Sequence, residues 1–208
     1  MNQIYFNYNL SPNLSIEDFF VGSSNIDAFN VLINNNYEKL LLIGPKKSGK
    51  SHLSYIWQER NKAIKFDSNL KEILEKKENI LIDDLFEKIN EEEIFHIINH
   101  SNFYKLKILM TSSINIDEKN LKLKDLTSRL KTFYNVKINL PDDELLINLM
   151  IKLFHDKQII IKNPEIFNFI IKRVNRSYDQ IFALVNKIDK FLLQKNKQLT
   201  IPIIKELI

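Results

Sequence analysis

The sequence contains no cysteine. Thiol catalysis, disulfides and cysteine-ligated zinc are excluded, and nothing in the chain demands an oxidising compartment. Glycine is nearly as scarce, with three in 208 residues. No apolar run reaches the roughly 20 residues of a membrane span. The N-terminal stretch MNQIYFNYNLSPNLS lacks the basic start and continuous apolar core of a signal peptide. The expectation is a cytoplasmic protein without a membrane partner. No charge sign dominates: 30 Lys and Arg face 26 Asp and Glu, for a net +4. That balance permits contact with nucleic acid or an acidic protein, but scattered solvated lysines describe it better. What is present is ordinary for a globular chain, with 44% hydrophobic residues and enough length for one or two domains with a real core.

Two of the three glycines, Gly44 and Gly49, fall within GPKKSGKS, residues 44–51. The stretch fits G-x-x-x-x-G-K-[ST], with an apolar run before it and a helical pattern after it, the context such a phosphate-binding loop requires. The physical reason is local. Backbone N–H groups must point inward at phosphate oxygens, in conformations and at approaches that a Cβ would obstruct. The helix that follows presents its own N-terminal amides to the same anion. Gly44, Pro45, Lys46, Lys47, Ser48, Gly49, Lys50, Ser51 and His52 are therefore the candidate nucleotide-binding residues. Lys50 is expected at the β- and γ-phosphates, and the Ser51 hydroxyl on Mg²⁺.

Along the chain, LLLI (40–43), AIKF (63–66), ILI (80–82) and KILMTSS (107–113) read as strands, and NVKINL (135–140) as an edge strand. Residues 51–60, 68–77 and 91–102 read as helices between them. Strands alternating with helices predict a parallel α/β sheet. After Pro141 the strand signals stop. Four helical patterns follow, with Asp142 to Glu144, Ser177 and Thr200 at their starts, the last tolerating Pro202 in its first turn. The expected organisation is an N-terminal segment over 1–14, an α/β base over 15–141 and a small helical domain over 142–208. Residues 159–164 read as a loop with a short extended piece.

Three further groups carry chemistry. ILIDD delivers Asp83 to the Mg²⁺ side of the site, with Asp84 beside it as a group to polarise an attacking water. An acidic loop after a strand is the plainer reading of that pair alone. Asp84 is one methylene shorter than a glutamate, which changes its reach. Thr111, Ser112 and Ser113 end a neighbouring strand, where one hydroxyl could sense a γ-phosphate and ordinary loop polarity is an equal reading. Arg129, in DLTSRL, reads from its chemistry alone as a solvated helix arginine.

FFVGSSN (19–25), the loop ending GKSHL, LIDD, EEEIFHIIN and LTSRL, in that order, resemble the AAA+ module of the DnaA-type initiator family. LTIPIIKELI (199–208) resembles the closing helix of the short Hda-type members of that family. The sequence stops there, which implies no helix-turn-helix DNA-binding domain. The resemblance implies a P-loop AAA+ base with a parallel sheet flanked by helices and an all-α lid. It implies ADP or ATP with Mg²⁺ in the cleft, Val21 against the nucleotide, and Arg129 acting as an arginine finger on the ATP of a DnaA partner. It implies a sliding-clamp contact through Gln3, Ile4 and Phe6, a homodimer as a further assembly, and DNA only indirectly. Two positions depart from the family. Asp179 stands where a lid arginine contacts phosphates, leaving Arg176 one turn earlier as the substitute sensor. Ser113 stands where DnaA has an acidic sensor. Both departures weaken self-hydrolysis. The competing expectation is an autonomous ATPase, such as a DnaC-like helicase loader or a divergent DnaA paralogue, and a DNA-binding regulator is the least favoured.

Overall fold

A computed structural model describes residues 14–34, 37–87, 89–195 and 198–208. The expected parallel sheet is present. It is built from β1 (Lys39–Ile43), β2 (Ile64–Lys65), β3 (Ile80–Ile82), β4 (Ile108–Ser112) and β5 (Tyr134–Lys137), all parallel, in the order β2-β3-β4-β1-β5. The apolar runs in β1, β3 and β4 have one cause. Helices cover both faces, so both sets of alternating side chains are buried.

Period-two alternation divides these strands between two cores. Leu41, Ile80, Ile82, Ile108 and Met110 face one side with Ile73 of α3 (Leu70–Glu75), Ile94, Ile97 and Ile98 of α4 (Glu91–Tyr104), and Leu126 and Leu130 of α5 (Lys124–Leu130). Leu40, Leu42, Leu81 and Leu109 face the other side with Ala28 and Leu32 of α1 (Ile26–Asn34) and Leu53, Ile56 and Trp57 of α2 (Lys50–Asn61). No element is expected over 26–34 from the sequence. The structure forms α1 there, an amphipathic helix that buries Ala28 and Leu32.

β5 is an edge strand, as expected, and begins at Tyr134. Its extended course continues one residue further, where the Ile138 amide donates to the Ile43 carbonyl at 2.8 Å. At the start of α4, Asn90 and Glu93 form a reciprocal capping box.

Beyond β5 the regular elements among the described residues are helices: α6 (Asp143–Asp156), α7 (Glu165–Ile171), α8 (Tyr178–Lys195) and α9 (Ile201–Leu207). Asp142 caps α6 by accepting from the Leu145 amide at 2.7 Å. Ser177 accepts from the Gln180 amide at 3.3 Å. Thr200 precedes α9 without a side-chain cap bond. These helices close a third core around Leu146, Met150, Phe154, Ile170, Ile188 and Ile204. Residues 159–164 form a loop with no strand. The seam to the sheet is polar and specific. Ser23 Oγ donates to Asp142 Oδ2 at 2.5 Å, and Ser24 Oγ meets the buried Tyr178 hydroxyl at 3.1 Å. The two serines of FFVGSSN thus tie the segment before α1 to α6 and α8. No helix among the described residues is long and apolar enough to cross a membrane.

Candidate functional site

The C-terminal end of β1 runs into the glycine-rich loop, which opens directly into α2. Gly49 is the N-cap of α2 with φ of 92°, a left-handed conformation that a side chain rarely adopts. A Cβ there would also lie 2.9 Å from Phe19 Cε2. Lys47 takes φ of 62°, so the loop alternates hand and turns its amides to a common concavity, an anion-binding nest. Gly44 has a different reason. A Cβ would lie 2.9 Å from both Ile138 Cβ and Ser48 Oγ, so glycine is required by packing beneath the loop. The Ser48 hydroxyl is itself buried with no hydrogen-bond partner among the described residues. Gly49→Ala is expected to cost about 1–2 kcal/mol of stability from backbone conformation alone, with thermal unfolding as the check. Gly44→Ala tests packing without touching φ.

Lys50 is 6% exposed. Its ammonium donates to the carbonyls of Gly44 at 2.8 Å and Pro45 at 2.9 Å, folding back over its own loop. Burial pulls its pKa below the ordinary lysine value. The fields of Asp84, Asp83, Glu87 and Asp179 act the other way. A buried cation ringed by carboxylates remains available to a phosphate.

The end of β3 carries the acidic pair. Asp83 Oδ1 accepts from Thr111 Oγ1 at 2.8 Å and Ser51 Oγ at 3.4 Å, while Oδ2 faces Lys65 Nζ at 3.2 Å. The same Thr111 hydroxyl accepts from the Asp84 amide at 2.9 Å. One threonine therefore orients both residues of the pair. Asp84 sits at φ of 59°, a left-handed conformation in which its carboxylate lines the cleft. The three hydroxyls after β4 separate into three roles. Thr111 holds the pair, Ser112 turns back to the Ile114 carbonyl at 2.7 Å, and Ser113 lines the cleft.

The cleft has a volume of about 640 Å³ and lies between the loop, the FFVGSSN segment and α6 and α8. Phe19, Leu145, Leu149, Tyr178 and Phe182 give it an apolar wall, suited to a flat base, opposite a basic loop suited to phosphates. Phe19 stacks on Phe29 and meets His52 edge-on, with centroids at 5.8 and 5.3 Å. The His52 ring nitrogen Nε2 lies 2.8 Å from the Ser15 carbonyl. Burial holds His52 below the ordinary imidazole pKa, aided by Lys152 and opposed by the Ser15 carbonyl and Asp18. The unfolded chain therefore binds this proton more tightly. The stability from neutral His52 is present above about pH 6.5 and is lost as pH falls through the window below it. Thermal unfolding between pH 5 and 7.5 should show this slope, and His52→Phe should flatten it.

Other expected residues lie elsewhere. Gly44 and Pro45 form the floor that holds Lys50 rather than the cleft wall. Val21 is 43% exposed and does not line the cleft, and its neighbours Phe19 and Phe20 do. The segment turns at Gly22, whose amide donates to Asn25 Oδ1, and this leaves Val21 outside. Arg176 is also outside. Both Nε and Nη2 donate to the Asp143 carboxylate, at 2.5 and 2.9 Å, on the exposed surface. Arg129 lies outside the cleft, on α5, with its guanidinium 4.8 Å from the Phe95 ring centroid. Gln3, Ile4 and Phe6 lie outside the described residues.

Among the described residues no group of three or more His, Asp or Glu could hold a metal ion. Ser51 and Asp83 alone converge on the expected Mg²⁺ position, so a cation there would need oxygens from a bound phosphate as well.

The profile of the family described as "Hda, lid domain" matches residues 149–208. The chain is 27% identical, over 93% of its own length and 93% of the other, to an uncharacterized protein of Haemophilus influenzae. It is 24% identical, over 97% of its length, to the chromosomal replication initiator protein DnaA of Buchnera aphidicola, and spans 51% of that protein. Domain III of the Thermotoga maritima DnaA superposes with a TM-score of 0.75 at 19% identity, covering 95% of this chain and 96% of that one. The chain has the AAA+ fold of DnaA domain III, and its C-terminal helices match the Hda lid family.

The lid family match runs from within α6 through α9. The lid's share of the cleft is what sequence reasoning missed. Leu145, Leu149, Lys152, Leu153 and Asp156 line it from α6, and Tyr178 and Phe182 from α8. Their spacing of three and four is on the page in the sequence, but it is the same spacing that marks core residues. Thr111 belongs to the TSS hydroxyl cluster of residues 111–113, and nothing local distinguishes it from Ser112.

Proposed function

We propose that this chain is a nucleotide-holding regulator of replication initiation, which keeps ADP in its own cleft and accelerates hydrolysis of ATP bound to a DnaA partner at the sliding clamp. The observation that carries the reading is the placement of Arg129. It stands outside the chain's own cleft, on α5, held by Phe95 of α4. A guanidinium so displayed is geometrically suited to a neighbouring subunit's nucleotide, where it would offset charge developing on the transferred phosphoryl group. The P-loop, the apolar wall and the lid family match support nucleotide holding. Asp179 and Glu87 near Lys50 favour the less charged ADP over ATP.

In this reading residues 15–141 are the nucleotide-binding base and 142–208 the lid. Residues 1–14 contain the clamp contact through Gln3, Ile4 and Phe6. DNA is met only through the partners, and a homodimer would use the Arg129 surface against a second copy's cleft.

The test is phosphate release from DnaA carrying labelled ATP, with the clamp loaded on DNA, with and without this chain. Acceleration by the ADP-bound chain supports the reading, and no acceleration contradicts it. Asp84 lining the cleft favours a second reading, an autonomous ATPase. Fast ATP turnover by the chain alone would select that one.

A further inference from the structure

The carboxylate expected beside the metal already has a cation of the protein's own. Lys65 is the second residue of β2, and its register partner on β3 is Leu81, two residues before Asp83. Parallel pairing therefore delivers the Lys65 ammonium to the same C-terminal sheet edge as the acidic pair, 3.2 Å from Asp83 Oδ2. Thr111 and Ser51 hydroxyls occupy Oδ1. A carboxylate offers about four lone-pair sites, of which Thr111 and Lys65 take two and the Ser51 hydroxyl approaches a third at longer range. The Asp83 side chain is 12% exposed and that of Lys65 48%. A half-exposed ion pair contributes little to folding. Its consequence is electrostatic, because it offsets the Asp83 charge that would attract a divalent cation and adds like-charge repulsion against that cation.

We infer that Lys65 is a positioning residue that holds Asp83 in an ion-paired state, so that nucleotide binds with little dependence on divalent cation. This rests on the nucleotide-holding reading above, and assigns the affinity to the loop amides and Lys50 rather than to a bridging metal. β2 is an edge strand, so Lys65 can be replaced without opening the core.

The experiment is calorimetric titration of ADP into the full chain, in Mg²⁺ and in EDTA. The wild-type dissociation constant is expected to change by less than about threefold between the two. Lys65→Met, which keeps the aliphatic stem and removes the charge, is expected to bind at least about tenfold more tightly with Mg²⁺ than with EDTA. Lys65→Arg, which keeps the charge, should follow the wild type. Equal Mg²⁺ dependence in wild type and Lys65→Met overturns the inference, as does Lys65→Arg behaving like Lys65→Met. A wild-type change of tenfold or more overturns it without reference to any variant. Absence of ADP binding in every form removes the nucleotide reading itself, and the inference with it.

Discussion

Arg129→Ala is expected to abolish the acceleration of DnaA-bound ATP hydrolysis, a loss of about a thousandfold or the whole stimulated component. ADP affinity should stay within about twofold, because Arg129 does not line the chain's own cleft and Lys50 keeps its partners. Stability should barely move. The guanidinium is half-buried against Phe95, a cation–π contact worth about 0.5–1 kcal/mol. Arg129→Lys should rescue little, since an ammonium lacks the planar fork that reaches two phosphate oxygens. Phe95→Ala separates position from charge: it keeps the arginine but removes the surface on which it rests. An intermediate loss of stimulation is expected there, with nucleotide binding unchanged. Single-turnover hydrolysis with the variants at saturating concentration measures all three. Full stimulation by Arg129→Ala would contradict the assignment.

Lys50→Met is expected to weaken ADP binding by roughly a hundredfold, the scale of losing one desolvated charge-assisted contact. The predicted effect on folding is much smaller. The ammonium is 6% exposed and its charge is penalised by burial. Removing it relieves that penalty while leaving the Gly44 and Pro45 carbonyls with one donor fewer. The two changes oppose, so stability without nucleotide should shift by no more than about 1 kcal/mol. Calorimetric ADP titration and thermal unfolding with and without ADP check the pair. The variant should lose the ADP-induced rise in melting temperature that mass action gives the wild type. An unchanged ADP affinity would mean that the loop does not hold the phosphates.

These two residues show what the sequence displays readily. Lys50 sits in a short run whose residue order and spacing mark it before any fold is known, whereas Arg129 stands out only through the resemblance of LTSRL to the DnaA-type family. The sheet was equally legible, because strands covered on both faces become continuous apolar runs such as LLLI and ILI. The helices after β5 were legible from periodicity, and Asp142 and Ser177 mark the starts of two of them. Chemistry distributed across the fold was much less legible. The wall of the cleft combines Phe19 with Leu145 and Tyr178, more than a hundred positions further along the chain, and tertiary contacts such as Ser23–Asp142, Ser24–Tyr178 and Lys152–Asp18 bring them together. The Lys65–Asp83 pair depends on strand register. Val21 and Arg176 were expected at the cleft from their place in motifs. A turn at Gly22 and an ion pair with Asp143 place them outside it, and neither event leaves a mark in the local sequence.

The central claim is that this chain keeps its own nucleotide while the chemistry occurs on a partner's. A double-label experiment tests it most directly. The chain is loaded with tritiated ATP, DnaA with ATP labelled at the γ-phosphate, and the two are mixed with clamp on DNA in a single turnover. The account predicts rapid loss of the γ-label from DnaA that requires Arg129, with the tritiated nucleotide retained on the chain and not hydrolysed at a matching rate. Rapid conversion of the chain's own ATP with no change in the DnaA-bound label would contradict it.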